Sequence, residues 1–151
     1  MPHVYRSNPV AAESGGDPVI VIHCSDPRYQ PHFQDFLRSG LKLDRYALVA
    51  VPGGPQCFTL AGFLPKFSWA GWRWMKFLVN LTKPARVILI AHDDCRWYIE
   101  NRFADDAHAR ERQIADLRRA QRDIVERFGA IQLDVFYATL ANGIAHFEKL
   151  G

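Results

Sequence analysis

The sequence predicts a single α/β domain with a central, mostly parallel sheet of four to five strands flanked by helices. Three observations carry that expectation. Residues 19–22 and 86–91 are short, almost unbroken apolar runs, the pattern of strands covered on both faces. Segments with helical spacing alternate with such runs, as in a sheet whose parallel strands are joined by helices. The 151 residues, 48% hydrophobic and 23% charged, fit one core that buries roughly 68–70% of its unfolded surface without disulfide support.

The first strand, Val19, Ile20, Val21 and Ile22, ends in His23 and Cys24. Asp26 and Pro27 then predict a helix start, because Asp is a good N-cap and Pro is preorganised for the first helical position. Phe33, Phe36 and Leu37 follow at helical spacing, and Gly40 supplies a stop. Residues 45–51 are the second strand, ended by Pro52, Gly53, Gly54 and Pro55, with a loop expected to about Leu64. Over residues 65–81, Phe67, Gly71, Trp74, Leu78 and Leu81 step by 4, 3, 4 and 3, which predicts a helix with that set inward. Trp69 and Trp72 fall largely off that face and require a second cover, either another subunit or the loop at 55–64.

The third strand, 86–91, is introduced by Lys83 and Pro84. A short helix at 96–103 and a long one at 106–128 follow, the latter with Ile114, Leu117, Ile124, Val125 and Phe128 inward and Gly129 as its end. Arg110, Glu111, Arg118, Arg119 and Arg122 read as its solvated face. Residues 131–139 alternate as a last strand, and residues 141–150 are expected to form a closing turn or short helix.

Charge and composition exclude several functions. The net charge of +3 comes mostly from arginines dispersed among acidic residues in the second half, so no nucleic-acid footprint is expected. Three cysteines do not make a secreted disulfide framework; an odd count points to metal or thiol chemistry in a reducing compartment. Residues 1–18 contain no apolar signal-like stretch and are expected to form a flexible N-terminal arm, with the domain at 19–151. Arg73 and Lys76 interrupt the apolar stretch at 67–81, which is too short to span a bilayer, so no membrane partner and a cytoplasmic setting are expected.

Ligands in open α/β sheets gather beyond the carboxyl ends of the strands. Cys24, then Gly53 and Gly54, then His92 occupy that position after three successive strands. Zinc accepts thiolate and imidazole ligands, and catalytic sites offer three protein ligands with a fourth position open. Cys24, His92 and Cys95 supply such a set, the His-x-x-Cys spacing letting one turn present two ligands while Cys24 arrives from the neighbouring strand.

Cys24-Ser25-Asp26-Pro27-Arg28 together with His92-Asp93-Asp94-Cys95 resembles the β-class carbonic anhydrases, over roughly residues 19–143. The resemblance implies a dimer-forming α/β fold of that type and zinc held by Cys24, His92 and Cys95. It also implies reversible hydration of carbon dioxide to bicarbonate by zinc-bound hydroxide, in a homodimer or higher homo-oligomer. Asp26 and Arg28 become the catalytic pair, Asp26 accepting a hydrogen bond from the nucleophile while Arg28 holds it off the metal. Gly53 and Gly54 fall where the family has a substrate-side loop. Three features depart from the family. Arg96 stands where Gly usually follows the second cysteine, and Val51-Pro52-Gly53-Gly54 replaces an Arg-Asn-Ala-Gly-like loop. The helical arm that commonly wraps the partner subunit is reduced.

Other readings stay open at this point. Asp26 as a simple cap, Arg28 as a surface cation, and Cys24 and Cys95 as small buried hydrophobes are the structural alternatives. Cys57 reads as a packed or free thiol, and His23, His32 and His108 as structural, solvent-facing or proton-carrying. The functional alternatives are a non-catalytic zinc-binding or metal-free module, and a hydrolase of carbonyl sulfide or carbon disulfide, which a small apolar pocket discriminates poorly. A thiol phosphatase loop is excluded, since Gln30 occupies the position that its arginine requires.

Overall fold

The structure, a computed structural model, describes residues 4–9 and 17–151. Residues 1–3 and 10–16 of the expected arm lie outside the described residues. Five strands form one sheet in the order β2-β1-β3-β4-β5. They are β1 (Val19–Cys24), β2 (Ala47–Val51), β3 (Arg86–His92), β4 (Gln132–Ala141) and β5 (Ile144–Leu150). The first four run parallel and β5 is antiparallel to β4, so the predicted single α/β domain holds.

Strand alternation decides which helix covers which face. Val19, Val21, Ile88, Ile90 and Phe136 point to the side where α1 (Gln30–Asp35) and the π turn Phe36–Gly40 bring Phe33 and Leu37. Ile20, Ile22, Val87, Leu89, Val135 and Tyr137 point to the other, covered by α2 (Pro65–Thr82) and α4 (Ala109–Phe128) through Met75, Leu117, Ala120 and Ile124. Each fully buried aliphatic side chain here contributes roughly 1.5–3 kcal/mol relative to exposure. Between β3 and α4 lies the short α3 (Arg96–Glu100).

Several local expectations are corrected. Asp26 and Pro27 do not start the first helix. The Asp26 carbonyl accepts from the Tyr29 and Gln30 amides and its carboxylate from the Arg28 amide at 2.8 Å, so residues 26–29 make their own turn. The helix begins at Gln30 with Pro31 in its first turn. The loop expected to Leu64 contains a fully buried 3₁₀ helix, Gly54–Thr59, wedged among β1, β3, α2 and α4.

The inward face of α2 is also rotated from the one predicted. Ser68, Gly71 and Met75 are buried and Trp72 packs on Phe58 and Phe128, whereas Phe67, Trp74 and Leu81 face outward. Gly71 sets this face, because a Cβ there would sit 3.0 Å from the Cys57 sulfur. Val125 of α4 is likewise exposed, while Gln113 and Asp116 are buried. Of the closing turn or short helix expected at 141–150, the turn is found, at Asn142 and Gly143, both in the left-handed region, and the residues after it form β5 and complete a hairpin with β4. Pairing with β3 and β5 makes β4 an interior strand, buried continuously from Asp134 to Ala138 instead of alternating.

Among the described residues, no helix is long and apolar enough to cross a membrane.

Candidate metal centre

Parallel pairing in register brings the carboxyl ends of β1, β2 and β3 to one edge of the sheet. Cys24 lies opposite Val51, and β3 runs three residues past the Ile22–Leu89 pair to reach His92. The turn after His92 then carries Cys95 back beneath α3. The Cys24 and Cys95 sulfurs and a His92 ring nitrogen come within 4.8 Å of one another, all three residues buried, with the sulfurs 4.0 Å apart.

The tautomer of His92 follows from its neighbours. Nδ1 lies 2.7 Å from the Asp93 carbonyl oxygen, which can only accept, so Nδ1 carries the proton and Nε2 presents a lone pair. That Nε2 is buried with no hydrogen-bond partner among the described residues. A buried orphan acceptor is costly. Beside two sulfurs, it fits the N/S donor preference of zinc, and the three residues would supply three of the four donors that a tetrahedral ion takes. The sulfurs point the same way: their mutual contact at 4.0 Å holds the Cys24 pKa down and drives the Cys95 pKa up. One negative charge forms readily and a second is resisted, a repulsion that a dication between the sulfurs would remove.

Asp26 and Arg28 stand at the mouth of this cluster. Arg28 donates from Nε to both Asp26 oxygens at 3.1 and 3.2 Å and from a terminal nitrogen to Oδ2 at 2.7 Å. These bonds hold the Asp26 carboxyl below the usual range and raise the pKa of Arg28. A cavity of about 370 Å³ opens here, lined by Cys24, Asp26, Arg28, Pro52, Arg96 and Trp97 among others.

Gly53 and Gly54 are buried behind Pro52, and both have positive φ. A Cβ on Gly54 would lie 2.8 Å from the Cys24 amide nitrogen, and one on Gly53 would run into the Trp97 ring. Glycine is therefore what lets this loop close over the end of β1, and the Gly53 amide donates toward the Cys24 sulfur. Trp97 locks the loop from the other side, donating from Nε1 to Gln56 Oε1 at 2.6 Å.

Cys57 is not part of the cluster. It packs against Gly71, and burial pushes its pKa up to about 12. His23 is buried, with its Nδ1 donating to the Cys24 carbonyl at 2.8 Å, and His108 is an exposed partner of Asp105.

Sequence patterns did not reveal the groups beneath the three candidate donors. Gln113 of α4 donates to the His92 carbonyl at 2.9 Å and accepts from the Tyr137 hydroxyl at 3.0 Å. Tyr98, one turn after Cys95, donates to buried Asp116 at 2.8 Å. A signal was present: Gln113, Asp116, Leu117, Ala120 and Ile124 share one helical stripe, and two polar residues on a buried stripe require partners. Asp94, inside the His-x-x-Cys segment, also joins the site; Arg28 donates to its carboxylate at 2.7 Å and to its carbonyl at 2.8 Å.

No family model matches the chain, and no curated protein matches it in sequence. Among solved structures it is similar to the β-carbonic anhydrase CafA of the fungal pathogen Aspergillus fumigatus. The identity is 15% and the TM-score 0.44, over 86% of this chain and 74% of that chain.

Proposed function

We propose that this chain is a zinc-dependent, carbonic anhydrase-like lyase that hydrates carbon dioxide reversibly to bicarbonate. The observation that carries the reading is the buried donor set, two sulfurs and an unpartnered imidazole nitrogen within 4.8 Å, opening beside a carboxylate that a guanidinium holds. The motif order Cys24-x-Asp26-x-Arg28 and His92-x-x-Cys95 supports it.

Cys24, His92 and Cys95 would hold the ion, which supplies the Lewis acidity that turns water into a nucleophile. Asp26 is the catalytic acceptor: three Arg28 N–H groups sit on its two oxygens, which leaves roughly one of its four lone-pair sites to orient an incoming water. Arg28 keeps that carboxylate ionised and in place. Gly53 and Gly54 shape the substrate side by letting the backbone close over Cys24, with Pro52 and Trp97 as apolar walls suited to a small neutral gas. The requirement for reduced thiols suits a cytoplasmic setting. Homodimerisation through α2 and β2 belongs to the same proposal, supported by the outward Leu48, Trp74 and Phe77.

Metal analysis of the purified protein is expected to find one zinc per chain, lost in Cys24→Ser. Stopped-flow assays are expected to show carbon dioxide hydration that Asp26→Asn lowers by about 100-fold, the scale of a general acid–base contribution. Absence of stoichiometric zinc sinks the reading. A zinc protein that hydrates no faster than Cys24→Ser redirects it to carbonyl sulfide or carbon disulfide.

A further inference from the structure

The Asp26–Arg28 pair is joined by a third residue from the opposite strand end. We infer that Asp94 is a positioning residue: it fixes the Arg28 guanidinium, and through it the Asp26 carboxylate, beside the Cys24, His92 and Cys95 donors. The catalytic consequence rests on the function proposed above, whereas the clamp itself does not.

A guanidinium has five N–H donors. Arg28 spends its Nε hydrogen on Asp26 and divides one terminal nitrogen between Asp26 Oδ2 and the Asp94 carbonyl, at 2.7 and 2.8 Å. The other terminal nitrogen goes to Asp94 Oδ2 at 2.7 Å. Without Asp94 the pair would be a local contact between residues two apart, with Arg28 nearly half exposed, and such pairs hold little geometry. Asp94 lies 66 positions away and ties the β1 corner to the β3 corner.

The backbone at Asp94 is consistent with this role. Its φ is +50°, a left-handed conformation that is costly for most non-glycine residues and that Asp tolerates better than most. In that conformation both its carbonyl and its carboxylate reach one guanidinium. Arg96 also approaches Asp94, but at 3.3 Å and from an exposed position shared with Glu100, so it is the weaker partner.

Exchange of the Arg28 Nε proton with water, measured by NMR on the ¹⁵N-labelled protein as purified, tests the clamp, because that proton binds Asp26 and not Asp94. Asp94→Gly and Asp94→Asn both accept the positive φ, and circular dichroism reports that they fold. Exchange is expected to rise about tenfold in Asp94→Gly and less in Asp94→Asn, which keeps an acceptor oxygen, a range set by ordinary coupling between neighbours. Arg96→Ala is expected to change it by less than about twofold. In hydration assays Asp94→Gly is expected to lose about tenfold in kcat with KM unchanged, since Asp94 touches no substrate. Unchanged Nε exchange in Asp94→Gly overturns the inference, as does equal acceleration in Arg96→Ala or a rise in KM at constant kcat. A wild type without hydration activity defeats the proposed function alone, and the exchange comparison, which needs no turnover, still decides the clamp.

Discussion

At the scale of single residues, the site depends as much on missing side chains as on reactive ones. Gly54 lies against the backbone of His23 and Cys24, and its φ of +54° already disfavours any L side chain. Gly54→Ala is therefore expected to lose about 3 kcal/mol of stability by urea denaturation. It should also lower zinc content, because the displaced atoms are those that place Cys24; a variant with wild-type stability and zinc would show that the loop closes for another reason. The same scale separates Cys57 from Cys24 and Cys95. Burial dominates at Cys57 and keeps it a thiol, whereas the other two sulfurs lie 4.0 Å apart beside an imidazole lone pair.

Among the elements, β4 does more than the alternation in its sequence suggested. Asp134 joins three strands, accepting from Arg86 of β3 and from Lys149 of β5. Burial pushes its carboxyl up, but the bonds from Lys149 and Arg86 outweigh that, and its pKa lies below the ordinary carboxylate value. A folded pKa below the unfolded one contributes stability above about pH 4, and this is lost as pH falls through the folded value. Asp134→Asn is accordingly expected to be less stable than wild type by about 2 kcal/mol at pH 7, with the difference closing in acid, as read from denaturation curves across pH. A difference that is flat with pH would mean that packing rather than charge is what Asp134 supplies.

For the whole molecule, the open question on the surface is α2. With Trp72 turned inward, Phe67, Trp74, Phe77 and Leu81 remain exposed on one side, Phe77 at 63%, and Trp74 and Phe77 continue onto Leu48 at the edge strand β2. A contiguous apolar face of this kind ordinarily marks an interface. Light scattering is expected to give the mass of a dimer for the wild type and of a monomer for Phe77→Asp. A monomeric wild type would remove the second copy from the proposal.

Local chemistry determined what the sequence alone could determine. Strand-forming runs, the ligand types at their ends and their spacing are properties of neighbours along the chain, and they led to the sheet and to Cys24, His92 and Cys95 meeting at one edge. The turn at Asn142 and Gly143 was legible by the same rules, whereas the strand that follows it was not. Tertiary packing decided the rest. Helical spacing says that a face exists but not which way it turns, so Gly71 against Cys57 set the orientation of α2. Parallel register brought Arg28 to Asp94 and Gln113 to His92 across long stretches of chain, which no local pattern encodes.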